Sequence, residues 1–112
     1  MFPKRPIVPE ISPEDLKMKL DQGEPMTLID VREPDEFEIC RLAKAKLIPL
    51  RQIPNCLGEF GADELIVLYC HHGIRSAQAA LWLKQNGLKN VVSLCGGIDA
   101  WAQEIDPEME RY

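Results

Sequence analysis

One stretch limits the folds open to this chain: Leu65-Ile66-Val67-Leu68-Tyr69-Cys70-His71-His72-Gly73-Ile74-Arg75-Ser76. Five apolar or aromatic residues run unbroken into a cysteine, as in a strand covered on both faces. A short loop follows, with Gly73 in its middle and Arg75 at its far end. From Ser76 to about Asn86 the pattern is helical and alanine-rich, with Ala79, Ala80 and Leu83 on one face and Gly87 as its stop. The order strand, cysteine loop, helix sets a thiol over the positive end of a helix.

The rest of the chain repeats that alternation. Residues 1–9 carry Pro3, Pro6 and Pro9 and read as a flexible arm; Glu10-Ile11 reads as a short edge strand. Ser12-Pro13-Glu14-Asp15 is a helix start, with Ser12 as N-cap and Pro13 in the first turn. Leu16, Met18 and Leu20 are expected to face the core, and Gly23 ends the helix. Met26 to Val31 reads as a strand and Pro34 to Ile39 as a short helix anchored by Phe37. Leu47-Ile48 reads as a second short strand. Leu50 to Gly61, interrupted by Pro54 and Gly58, is expected to be at most a broken helix. Val91 to Leu94 is the last strand, and Ile98 to Ile105 a helix carrying Trp101. The acidic segment 106–112 is expected to fray. Alternating strands and helices argue an α/β domain with a mainly parallel sheet over residues 10–105. In such sheets ligands sit beyond the carboxyl ends of strands, where both Cys70 and Asp30-Val31-Arg32 fall.

Composition excludes several classes. A chain of 112 residues makes one domain. A net charge of −5 lacks the basic face that nonspecific nucleic-acid binding needs. No apolar run approaches the roughly 20 residues of a membrane helix, and nothing resembles a secretory signal. The four cysteines, Cys40, Cys56, Cys70 and Cys95, form no Cys-x-x-Cys pair, so no metal site is expected. Free thiols and a cytoplasmic location follow as expectations. Cys40, Cys56 and Cys95 read as packing residues.

The loop has the parts of a reactive-thiol site. A free thiol has a pKa near ~8.5, and a helix N-terminus or a neighbouring cation lowers it. The amides of His71, His72, Gly73, Ile74, Arg75 and Ser76 are expected to converge on the sulfur as an anion-binding nest. Gly73 permits the turn. Arg75 supplies a permanent charge and a planar fork of donors for an oxyanion. Asp30 and Arg32 are expected to pair with neighbouring loops in support.

With these residues in place, the chain resembles a single-domain rhodanese-like sulfurtransferase. The resemblance rests on Leu28-Ile29-Asp30-Val31-Arg32-Glu33-Pro34, Glu36-Phe37, Ile48-Pro49-Leu50, the Cys70–Ser76 loop and Leu94-Cys95-Gly96-Gly97-Ile98-Asp99-Ala100-Trp101. It implies a three-layer α/β domain with a mainly parallel sheet of about five strands between helices. It also implies that Cys70 is a persulfide-forming nucleophile, with the loop amides and Arg75 binding a small anionic sulfur donor such as thiosulfate. A cyanide, small-thiol or protein acceptor then removes the sulfur, without a cofactor. Cys40-Arg41-Leu42 and Lys44-Ala45 depart from the family, which carries Gly-His-Ile and Gly-Ala there. Two alternatives stay open. One is a cysteine phosphatase or arsenate reductase, whose loop is one residue longer between cysteine and arginine; phosphate release separates it. The other is a noncatalytic sulfur-carrier or redox-regulatory module; as a redox sensor it would pair Cys70 with Cys95 or Cys40, and mass analysis after mild oxidation reveals that disulfide.

Overall fold

Strand pairing in the computed structural model, which describes residues 7–112, follows from the uninterrupted apolar runs. β4 (Ile66–Tyr69) is buried along its whole length. It lies between β2 (Thr27–Asp30) and β5 (Val91–Leu94). Two-residue strands close the edges, β1 (Glu10–Ile11) beside β5 and β3 (Lys46–Leu47) beside β2. The order is β1-β5-β4-β2-β3, and every pair is parallel. Parallel strands need crossovers, and the helices supply them. They are α1 (Pro13–Asp21), α2 (Pro34–Ile39), a 3₁₀ helix (Leu50–Glu59), α3 (Ile74–Gln85) and α4 (Gly97–Glu104).

Two cores sit on the two faces of the sheet. Ile66 and Leu68 pack with Ile29, Ile53, Ala79, Ala80 and Leu83 on one face. Val67 and Tyr69 pack with Leu16, Leu28, Leu42, Ile98 and Trp101 on the other. The expected α/β class and sheet are present, with helices on both faces. Ala79 and Ala80 let α3 lie close on the strands. Ser12 caps α1 as expected, its Oγ accepting from the Asp15 amide at 3.0 Å.

Several local expectations give way to tertiary structure. Met18 is 51% exposed, because α1 turns only a narrow stripe inward, with Leu16 at its centre. Phe37 is half-buried and lies under the Arg41 guanidinium at 4.7 Å; Leu42 fills the core instead. β3 is Lys46–Leu47, one residue earlier than Leu47-Ile48, since its register with Ile29 and Asp30 is set by β2. Pro54 does not break Leu50–Glu59, because that helix is 3₁₀ and closes on i+3 bonds. Lys44 stands where the resemblance implies glycine, and it adopts φ +68°, a left-handed conformation that costs a side chain about 1 kcal/mol. Of the expected N-terminal arm, residues 1–6 lie outside the described residues. Val8 packs on the first core, and the Pro9 carbonyl accepts from the Ser93 amide at 3.0 Å. No helix among the described residues is long and apolar enough to cross a membrane.

Candidate active site

Alternation along β4 decides where the thiol points. Ile66 and Leu68 face α3, so the next residue in step, Cys70, does too. The strand stops at Tyr69 and α3 begins at Ile74, leaving four residues to make the turn. Gly73 caps α3 at φ +103°, which only glycine adopts cheaply. The helix therefore starts two residues before Ser76, with Arg75 and Ser76 in its first turn.

Cys70 is 1% exposed, yet its sulfur is not in a purely apolar setting. Sγ accepts from the Gly73 amide at 3.1 Å and the Ser76 amide at 3.4 Å, and lies 3.5 Å from Ser76 Oγ. Ser76 Oγ is in turn 2.7 Å from Ser93 Oγ, both buried. The expectation that every amide from His71 to Ser76 converges on sulfur is met by two of them. Among the described residues, the amides of His72, Ile74 and Arg75 have no acceptor. The loop is held from behind by α4. Ile98 and Asp99 donate their amides to the carbonyls of Cys70 and His71 at 2.9 and 3.1 Å. Gly97, at φ +64°, lies so close that a Cβ there would sit 2.4 Å from the His71 oxygen and 2.6 Å from that of Cys70.

Arg75 does not stand free. Its two terminal nitrogens donate to the two oxygens of Glu36 at 2.8 and 2.9 Å. These bonds raise the Arg75 pKa against the opposing effect of burial. One N–H on each terminal nitrogen and the Nε–H remain for an anion. Glu36 is held down at about 2 from its ordinary 4.5, first by Arg75; burial opposes this, and the Glu33 amide and Tyr112 hydroxyl add to it. A depressed carboxyl contributes stability above its unfolded pKa and loses it as pH falls through the folded one. The expected result is a fall in unfolding free energy between pH 4.5 and 2 that is on the order of 1–3 kcal/mol steeper in wild type than in Glu36→Gln. Denaturant titrations across that range measure it, and equal slopes would refute it.

The two histidines part company. His72 is exposed, 3.8 Å from Asp99. His71 is half-buried and stacked on Tyr112 with ring centroids 3.9 Å apart. Burial, then His72, pushes its pKa down from the ordinary imidazole value. Ile74 is exposed on the outer side of α3. Asp30 and Arg32 are both fully buried and pair through several bonds, the shortest 2.6 Å. Arg32 also donates to the Cys40 carbonyl at 2.6 Å and the Tyr112 hydroxyl at 2.8 Å. This pair supports the segment beside the loop and makes no hydrogen bond to Cys70. Cys40 and Cys56 are half-buried as packing residues, but Cys95 is exposed, because β5 ends at Leu94 and the chain turns outward.

His71, His72 and Asp99 bring ligand atoms within 4.8 Å of one another, although Arg111 and Gln103 already hold the Asp99 carboxylate. Glu36, Ser93 and Tyr112 belong to the site and escape the sequence reading. Ser93 alone carries a signal, as a hydroxyl inside an apolar strand. Residues 106–112 do not fray: Met109 packs on the second core, Arg111 pairs with Asp99 at 3.0 Å, and Tyr112 returns to the loop.

The chain that builds this loop matches known proteins in sequence and in fold. The family model described as "Rhodanese-like domain" covers residues 12–104. "Probable adenylyltransferase/sulfurtransferase MoeZ" of Mycobacterium tuberculosis is 41% identical over 104 residues, which are 91% of this chain and 26% of that protein. The chain thus spans about a quarter of that relative. A protein named "Sulfurtransferase" from Allochromatium vinosum is 38% identical over 87% of this chain and 91% of its own length. The crystal structure of a rhodanese-like domain protein from Staphylococcus aureus superposes with a TM-score of 0.80 at 33% identity, over 94% of this chain and 99% of that one. Matched span and fold together place this chain in the rhodanese-like family.

Proposed function

We propose that the protein is a sulfurtransferase that carries a sulfane sulfur on Cys70. The observation that carries this reading is the pair of amides aimed at one sulfur, 3.1 and 3.4 Å away, at the head of α3. These are the donors a thiolate and the persulfide formed from it require. The thiolate attacks the outer sulfur of thiosulfate or of a persulfide. The donor's S–S bond breaks, and sulfite or a thiolate leaves with the electron pair. Cys70 is left as a persulfide. A thiophilic acceptor, such as cyanide or a thiol, attacks its terminal sulfur and restores the thiolate.

The unpaired amides of His72, Ile74 and Arg75 and the free N–H groups of Arg75 are the groups that bind the anionic donor. Two-step transfer gives ping-pong kinetics. The test is intact mass after incubation with thiosulfate, followed by peptide mapping. The expected result is a gain of one sulfur atom on Cys70, lost again on adding cyanide. Turnover without any sulfur on Cys70 would overturn the scheme.

A further inference from the structure

The segment after α4 crosses back over the face of the domain that holds the loop. It turns at Asp106, whose carbonyl accepts from the Met109 amide at 3.0 Å, and Met109 anchors it to the second core. Arg111 then reaches Asp99. Tyr112 makes contacts on three separate elements. Its ring lies flat on His71, at an interplanar angle of 8°. Its hydroxyl accepts from Arg32 at 2.8 Å and donates to Glu36 at 2.9 Å. Burial holds the phenol up at about 12, so the hydroxyl keeps the proton it donates. Tyr112 thus spans from His71, next to the nucleophile, to Glu36, the partner of Arg75. The first and the fifth residue after Cys70 are both engaged from outside.

We infer that Tyr112 determines which acceptors reach Cys70, an inference that rests on the sulfurtransferase reading. Docked, the segment covers the His71–Glu36 side of the loop mouth, where Cys70 is 1% exposed, and disfavours bulky acceptors more than small ones. Undocked, it opens that side to a bulky acceptor. The docked state is easily released: Tyr112 is 41% exposed, and the Arg111–Asp99 pair is at the surface, where ion pairs contribute little. Hydrogen bonds to charged groups are the stronger part of its hold.

Two variants of the full chain test this, Tyr112→Ala and Tyr112→Phe; the second keeps the ring and loses the bonds to Arg32 and Glu36. Alkylation of Cys70 is followed by peptide mass with iodoacetamide and with a fluorescein-bearing maleimide. Turnover is followed with cyanide and with glutathione as acceptors. In Tyr112→Ala the bulky-to-small ratio is expected to rise roughly tenfold in alkylation, and the glutathione-to-cyanide ratio to rise with it; Tyr112→Phe falls between. Ratios within about twofold of wild type in both variants would overturn the inference. A shifted alkylation ratio in a protein that transfers no sulfur would uphold the strap and defeat the sulfurtransferase reading instead.

Discussion

Cys70→Ser is expected to fold normally and to lose nearly all sulfur transfer. The site accommodates the change, since Ser Oγ accepts from the Gly73 and Ser76 amides that now reach Sγ. The cost to stability is about 1 kcal/mol, for exchanging one small buried side chain for another with its hydrogen bonds kept. The chemistry has no such substitute. A serine hydroxyl is not ionised at neutral pH and cannot hold a sulfane sulfur through an S–S bond. Turnover with thiosulfate and cyanide should fall by about 10,000-fold or more, as when a covalent nucleophile is removed. Thermal denaturation and steady-state rates together check this. Residual turnover above roughly 1% would mean that another group carries the sulfur.

Gly97→Ala is the second change expected to be severe, although Gly97 bears no functional group. A Cβ there would lie 2.4 Å from one backbone oxygen and 2.6 Å from another, at φ +64°. Neither oxygen can yield alone, because each accepts an amide from the first turn of α4. Helix and loop must separate, at a cost of about 3 kcal/mol or more. The loop amides then lose their aim, so turnover falls with stability. Gly58→Ala is the matched control: nothing lies within 4 Å of its Cβ position and its φ is not positive. It should change stability by less than about 1 kcal/mol. Chemical denaturation of both variants decides the matter. A Gly97→Ala protein as stable as the control would show that the close approach constrains nothing.

Much of the site was legible in the chain because its parts are local. An apolar run, followed by a cysteine, a glycine and an arginine within six positions, defines strand, candidate nucleophile, turn and helix start. The alternation of β4 even sets the side to which Cys70 points. What local pattern cannot show is which charge meets which. Glu36 lies 39 residues before Arg75, and no periodicity links them; only the order of the sheet brings α2 beside the loop. Tyr112 is hidden for the same reason, since an acidic segment after a helix-ending Asp106-Pro107 carries no mark of its destination. Ser93 was within reach, because a hydroxyl buried in a strand needs a partner. Met18 and Phe37 were misplaced because a short amphipathic helix does not declare how wide a stripe its neighbours will cover. Lys44 shows the converse: a side chain stands where the resemblance implies glycine, and the backbone keeps a left-handed turn there.

The pairing of β1 with β5 joins Glu10 to Ser93 and Ile11 to Leu94. A nascent chain emerging from the ribosome therefore carries its first strand without a partner until nearly all of the domain has been made. Closure of that edge is then a late, long-range event, of the kind that slows folding and lengthens exposure of unfinished species. Until it occurs, the Cys95 amide lacks its acceptor at Ile11, and an immature molecule presents a raw margin where the mature one is sealed.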